Sequence, residues 1–168
     1  LGYSAFEAGL TQMPFALGSA VAAVVGGRLV TRYGRALVGG GLVLVIVGLV
    51  GIDLLVPHLS NRVGLSLAPL LAVAGFGGGL VISPNVTISL SEVDVRHAGA
   101  GGGMLQTAQR VGSAIGVALV LAQFFSRLAV DGDYAESMSL ALRTTIGFVV
   151  GALLLGVADL VPSRRRRA

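Results

Sequence analysis

The sequence predicts an all-α integral membrane chain of about five transmembrane helices. Three observations carry this. Of 168 residues, 54% are hydrophobic and only 12% are charged, against about 25% charged in soluble domains. The mean hydropathy is +0.88. The apolar residues are gathered into runs long enough to cross about 30 Å of hydrocarbon, which takes about 20 helical residues. A soluble helical core is excluded, because too few polar residues remain to cover it. Barrel strands are excluded by runs that are too long and too continuously apolar.

Five spans are placed near 5–27, 36–56, 65–90, 99–125 and 139–161. Together, residues 1–161 form a partial transmembrane bundle, followed by a basic tail over 162–168. The first span opens on Ser4-Ala5-Phe6-Glu7, and the fifth on Asp133-Tyr134-Ala135-Glu136. Both have the spacing of a capping box. Tyr3, Tyr33 and Tyr134 fall at proposed span ends, where amphipathic rings prefer to sit.

The second span, and most of the fifth, are apolar all round and read as lipid-facing, peripheral helices. The third carries Ser83, Pro84, Asn85, Thr87 and Ser89. A proline inside a span frees backbone carbonyls, which is tolerated where the helix is packed or lines a cavity. Alternatively, Ser and Thr bond their own helix and Pro84 only kinks it. The fourth span holds Arg110. At ~100° per residue, Gln106, Gln109, Arg110 and Ser113 share one arc, with Val111, Ile115, Ala118 and Ala122 opposite. Between them runs a seam of Ala108, Gly112 and Gly116, whose small-xxx-small spacing lets another backbone approach closely.

A charge at membrane depth costs at least ~2.5 kcal/mol on insertion scales, so Arg110 needs a reason. From a start near Ala98 it lies about 18 Å along the axis, close to mid-membrane. Two readings stand: snorkelling or a structural hydrogen-bonding role, or a place in a solute pathway or gate. The polar arc favours the second.

All twelve basic residues are Arg, a usage that suits a GC-rich bacterial genome. The net charge of +4 could suggest nucleic acid, but the arginines flank the spans. Arg28, Arg32, Arg35, Arg96 and the tail arginines 164–167 lie on one side. Arg62, Arg127 and Arg143 lie on the other. Eight against three expects the first side, and the C-terminus, in the cytoplasm. Topology thus explains the charge better than phosphate binding does.

An internal echo runs from Gly9, Gln12, Gly18, Ser19 and Ala20 to Gly103, Gln106, Gly112, Ser113 and Ala114. The offset is constant. With alternating spans the two helices run in opposite directions, the mark of inverted repeats in transporters.

Weaker signals do not rise. Asn85-Val86-Thr87 fits a glycosylation pattern but lies within a span. The GFGGGL stretch lacks the strand context of a dinucleotide loop and instead suits close helix packing. His58 and His97 fall on opposite sides, so no metal pair is expected, and no cofactor is. No Ser/His/Asp arrangement suggests hydrolysis. With no cysteine, disulfides and thiolate metal sites are out of reach. Asp53, Glu92 and Asp159 lie near span ends, where carboxylates reach water, and none reads as a mid-membrane proton carrier. The opening LGYSAFEAGL has no initiator Met or signal-peptide n-region, and the chain is expected to be the end of something longer.

Three stretches carry a resemblance. GYSAFEAGLTQMPFALG is similar to an extracellular loop and following helix. GGRLVTRYGR is similar to the cytoplasmic loop signature G-x-L-x-D-R-x-G-R-R. AGAGGGMLQTAQRVGSAIGVAL is similar to a penultimate helix. Together they resemble the C-terminal half of a major facilitator superfamily transporter, most closely the fourteen-helix multidrug efflux branch (drug:proton antiporter-2). Gly27, Leu29, Arg32, Gly34 and Arg35 match the loop signature. Thr31 stands where the family has Asp, and Ala36 where it has a final basic residue, which puts that copy's gating role in question.

The resemblance implies a major-facilitator-type bundle and efflux of small drug-like or amphiphilic compounds by proton-coupled alternating access. It implies a plasma-membrane location, partnership with an absent N-terminal half, and a pore-lining slot on the span with Asn85. The candidate pathway or gate residues are then Arg110, Gln106, Gln109, Ser113, Asn85 and Gln12. No enzymatic role is expected. The runner-up is a non-transporting membrane subunit or truncated relic in which Arg110 staples helices.

Overall fold

A computed structural model describes residues 4–58, 63–91 and 93–165. Tyr3, Arg62, Glu92, Arg166 and Arg167 lie outside the described residues, as does the side chain of Asp159. Five helices follow one another: α1 (Ala5–Tyr33), α2 (Arg35–Leu55), α3 (Val63–Leu90), α4 (Ala98–Asp131) and α5 (Tyr134–Arg165). No strand occurs among the described residues. All five helices are long and apolar enough to cross a membrane.

The helix starts follow local chemistry. At α1 the capping box is complete. Ser4 N–H donates to Glu7 Oε2 at 2.8 Å and Glu7 N–H donates to Ser4 Oγ at 3.3 Å. At α5 only half of it forms. Asp133 Oδ1 accepts from the amides of Ala135 and Glu136, while the Glu136 carboxylate turns away to Arg127 of α4 at 2.6 Å. An available cation outcompetes the second half of the cap.

Three helices overrun their expected ends. α1 continues from 27 to Tyr33, α4 from 125 to Asp131, and α5 starts at Tyr134 and runs to Arg165. Hydropathy marks where lipid ends, whereas the backbone continues until a residue stops it. For α1 and α4 those stops are Gly34 (φ +45) and Gly132 (φ +67), at backbone angles that suit glycine.

Packing centres on α3, which lies against α1 on one side and α2 on the other. The glycines of GFGGGL explain why. Gly75 and Gly79, four apart and so on one face, meet the backbone of α1 at Phe15 and Ser19. Gly77 points to α2, where a Cβ would lie 2.6 Å from the Gly41 carbonyl. Gly18 of α1 fits against the Ala72 carbonyl, and Gly48 of α2 against Ala74. Small residues allow the backbone approach that drives association in lipid, so the close-packing reading of this stretch holds.

These contacts also fix direction. Along α1 the partners on α3 rise in number, from Thr11 with Gly64 to Gly26 with Pro84. Along α2 they fall, from Gly41 with Val81 to Gly51 with Leu70. The chain therefore alternates.

One expectation is corrected. The all-apolar α2 is not peripheral among these helices, because it packs on α3 and α5 and buries Gly41, Gly48 and Ile52. By contrast α4, the most polar-faced span, packs on α5 and otherwise meets α3 only weakly. Hydropathy ranks lipid compatibility, while contact in a bilayer follows small residues.

Candidate functional site

Apart from Gln12, the expected functional residues fall in three places. The first is the α1–α2 turn. Tyr33 ends α1 and Arg35 begins α2, with Gly34 between at φ 45 and ψ −120 and its N–H bonded to the Val30 carbonyl at 2.8 Å. A side chain would be strained there, which explains one signature glycine. Arg28, Arg32 and Arg35 are exposed around it, and the Arg32 guanidinium lies 5.6 Å from the Tyr33 ring centroid. Arg35 sits at a helix N-terminus, where the helix dipole disfavours a cation. Helix stability is therefore not the reason for its position. Gly27 faces Ser83 of α3, with an added Cβ 3.8 Å from its Oγ, and Leu29 is half-buried.

The second place is the polar arc of α4. Gln106, Gln109, Arg110 and Ser113 are all exposed, and Arg110 has no polar partner among the described residues. The expected small-residue seam makes no close contact in this chain. A Cβ on Gly112 or Gly116 would meet nothing within 4 Å, and Ala108 is exposed. Instead Gly112 and Gly116 line an open apolar groove between α4 and α5, with Thr145 and Phe148 across it. Because α4 overruns both expected ends, its midpoint falls between Ala114 and Ile115, and Arg110 lies about 7 Å from it toward the Arg-rich end.

The third place is a cavity of about 330 Å³ among α2, α3 and α5, with Arg35, Asn85 and Ser89 in its lining. Asn85 thus faces α2 and α5 here, and the expected grouping of Asn85 with the α4 arc is not made. Gln12 is apart from both, exposed on α1. Thr87 Oγ1 donates to the Ser83 carbonyl at 3.1 Å, and Ser91 Oγ to the Ile88 carbonyl at 2.7 Å. At those positions the self-bonding reading of α3 holds.

Sequence reasoning missed the polar links that hold α5. Arg143 Nε donates to Asp53 Oδ2 of α2 at 3.1 Å. Thr144 Oγ1 bonds Gln123 of α4, and Arg127 pairs with Glu136. The signal was present: Asp53 and Arg143 carry opposite charges at the same end of their spans.

A glycine-broken turn ringed by arginines, between membrane-length helices packed through glycines, is the setting in which the loop signature has to be judged. The Major Facilitator Superfamily matches this chain over residues 1–117. The chain belongs to that superfamily. A cephamycin export protein of Amycolatopsis lactamdurans is 35% identical over 167 residues, covering 96% of this chain and 32% of the relative. A probable actinorhodin transporter of Streptomyces coelicolor is 33% identical over 130 residues, covering 76% of this chain and 22% of the relative. A puromycin resistance protein of Streptomyces alboniger is 30% identical over 165 residues, covering 92% and 33%. The chain therefore spans about a third or less of these relatives. No solved structure gives a significant match.

Proposed function

We propose that this chain is the C-terminal part of a fourteen-helix drug:proton antiporter that exports small drug-like or amphiphilic compounds by alternating access. The observation that carries the reading is α4. It is a membrane-length helix with a glutamine–arginine–serine arc and a glycine seam, neither of them in close contact with another described helix. Lipid is a poor solvent for that arc, because an unpaired guanidinium at membrane depth is costly. A facing half of the transporter supplies the missing neighbour. The arc of Arg110, Gln106, Gln109 and Ser113 then lines the pathway or gate, to which Gln12, exposed on α1, also contributes, and Ala108, Gly112 and Gly116 take the approach of another backbone.

In this reading the Arg-rich ends, the loop residues Gly27, Leu29, Arg32, Gly34 and Arg35, and the tail over 162–168 face the cytoplasm of a bacterial plasma membrane. The bundle covers 1–161. α1 and α4 run in opposite directions, as an inverted repeat requires, although Gly18 is packed and Gly112 is open. The coupling protons bind carboxylates outside this chain.

The test is export by the full-length protein in a drug-sensitive bacterium. Cells expressing it should lose a fluorescent amphiphilic cation faster than controls, and a protonophore should abolish the difference. Export that persists without a proton gradient would refute the coupling. A reporter after Ala168 should behave as cytoplasmic and one near Gly132 as external, and the reverse at both sites would overturn the topology.

A further inference from the structure

We propose that the cavity among α2, α3 and α5 seats the phosphoglycerol headgroup of an anionic phospholipid from the leaflet at the Arg-rich end. The acyl chains stay in the bilayer. The inference goes beyond transport, and requires only that these helices cross a membrane.

The cavity follows from how the helices pack. α3 and α5 both lie on α2 and, among the described residues, not on each other. The wedge between them holds about 330 Å³, within the range of small-ligand sites. That is room for a headgroup, not for acyl chains as well.

Its lining is graded along the membrane normal. Arg35 is the first residue of α2 and Ser89 the last but one of α3, so both stand at headgroup level. Asn85 lies four residues, about one turn, deeper. Leu42 is about 10 Å along α2 from Arg35, and it lines the cavity with Val38 and with Leu153 of α5. The interfacial layer of a bilayer is about 5–7 Å thick on each side. Polar groups thus cross that layer, and apolar ones begin where hydrocarbon does. An amphiphile is graded in the same order.

The polar side chains are suited to a phosphoglycerol. Thr87 and Ser91 bond carbonyls of their own helix, whereas Asn85 and Ser89 have no polar side-chain partner among the described residues. A carboxamide and a hydroxyl each donate and accept, which matches glycerol hydroxyls and ester carbonyls. Arg35 has five N–H donors, enough to hold a phosphate beside a contact within the chain. The described lining has no carboxylate and no aromatic ring, so nothing there receives the ammonium of an amine-bearing head.

The surrounding charge has the right sign. Arg28, Arg32, Arg35, Arg96 and the tail arginines at 164–167 share this face with Glu92, Asp94 and Asp159. A basic excess of this kind draws anionic lipid. Beside Leu153, Leu154 and Leu155 are 65% and 75% exposed, an apolar surface that suits acyl chains.

The test is native mass spectrometry of the full-length protein, delipidated in detergent and titrated with lipids of identical chains. Phosphatidylglycerol should bind more tightly than phosphatidylethanolamine. Arg35→Gln should weaken phosphatidylglycerol binding about tenfold or more, as loss of a hydrogen bond to a charged group does. Arg28→Gln, at the same face but outside the lining, should leave it unchanged. A Cβ on Gly39 or on Gly156 meets nothing of this chain within 4 Å. Gly39→Leu/Gly156→Leu should therefore fill the cavity, abolish the headgroup preference and keep the thermal midpoint of the delipidated protein. Binding that persists in the filled variant, or equal affinity for the two headgroups, would overturn the site. Equal losses from Arg28→Gln and Arg35→Gln would replace it with diffuse attraction to a basic surface. Displacement of the lipid by glycerol 3-phosphate would make it a site for soluble phosphates. No binding to the unmodified protein, the result if another segment of the transporter fills the cavity, would refute the proposal too. None of these measurements involves export, so their outcome is separate from that of the transport reading.

Discussion

The α1–α3 trio and the α4–α5 hairpin solve the same problem of association in lipid by different means. In the trio, glycines let backbones meet: Gly75 against Phe15, Gly77 against Gly41, Gly18 against Ala72. In the hairpin, polar side chains make the link: Thr144 to Gln123, and Arg127 to Glu136. At Gly112 and Gly116 of α4, by contrast, an added Cβ would meet nothing within 4 Å. Backbone contact fills space and tolerates no added atom. Polar links survive a change of angle, because side-chain torsions absorb it. The trio is therefore held by backbone contacts that an added side chain would disrupt, and the hairpin by side-chain links that leave its glycines at 112 and 116 uncovered.

The sharpest way to break this contrast is to add volume. Gly75→Leu drives a side chain into the α1 backbone at Phe15. Overpacking of this kind costs about 1–3 kcal/mol or more, and most of the monodisperse protein should be lost on size exclusion in detergent. Gly112→Leu should leave the yield largely intact while export falls. Equal loss of yield from the two would mean that the seam of α4 is as tightly covered in the whole protein as α3 is here.

Arg110 comes next. Arg110→Ala should reduce export about tenfold or more at normal abundance, as loss of a positioned charge does. Arg110→Lys, which keeps the charge without the planar fork, should fall between. Reduced abundance with normal export per folded molecule would make Arg110 a staple instead.

A smaller effect is expected from Thr144→Val, which removes the hydroxyl that joins α5 to Gln123. Interhelical hydrogen bonds in membranes are worth about 0.6 kcal/mol on average, so the thermal midpoint should drop slightly and export should persist. Loss of folded protein would show the hairpin to be as brittle as the trio.

Arg127→Gln should do least. The Arg127 and Glu136 side chains are 42% and 54% exposed, and exposed pairs contribute about 0.2–1 kcal/mol before screening by salt. A thermal shift that vanishes at high salt is the expected signature.

Much of the fold was legible in the sequence. Span number, the Ser4–Glu7 cap and the close-packing role of GFGGGL all follow from composition and local chemistry. Neighbour choice was not, because hydropathy cannot distinguish a helix that faces lipid from one that faces another apolar helix. α2 looked peripheral for that reason, yet Gly41, Gly48 and Ile52 bury it. The polar arc of α4 was legible from helical spacing, and its residues are exposed. Where Asn85 would face was not, since one residue's rotation about α3 decides between α4 and the α2–α5 cavity. Asp53 was set aside as a carboxylate near water. Its 12% exposure comes from packing that no local pattern encodes.

The one-residue link at Gly34 has a consequence for biogenesis. α1 and α2 leave it as a hairpin, yet each packs chiefly on α3 and little on the other. A ribosome that has released α1 and α2 but not yet α3 has delivered a pair with few contacts between its two members. The glycine notches at Gly18 and Gly41 stay empty until α3 arrives to fill both at once. Assembly of this part of the bundle is then a three-body event, and the nascent hairpin should be protease-sensitive up to the moment the third span enters the bilayer.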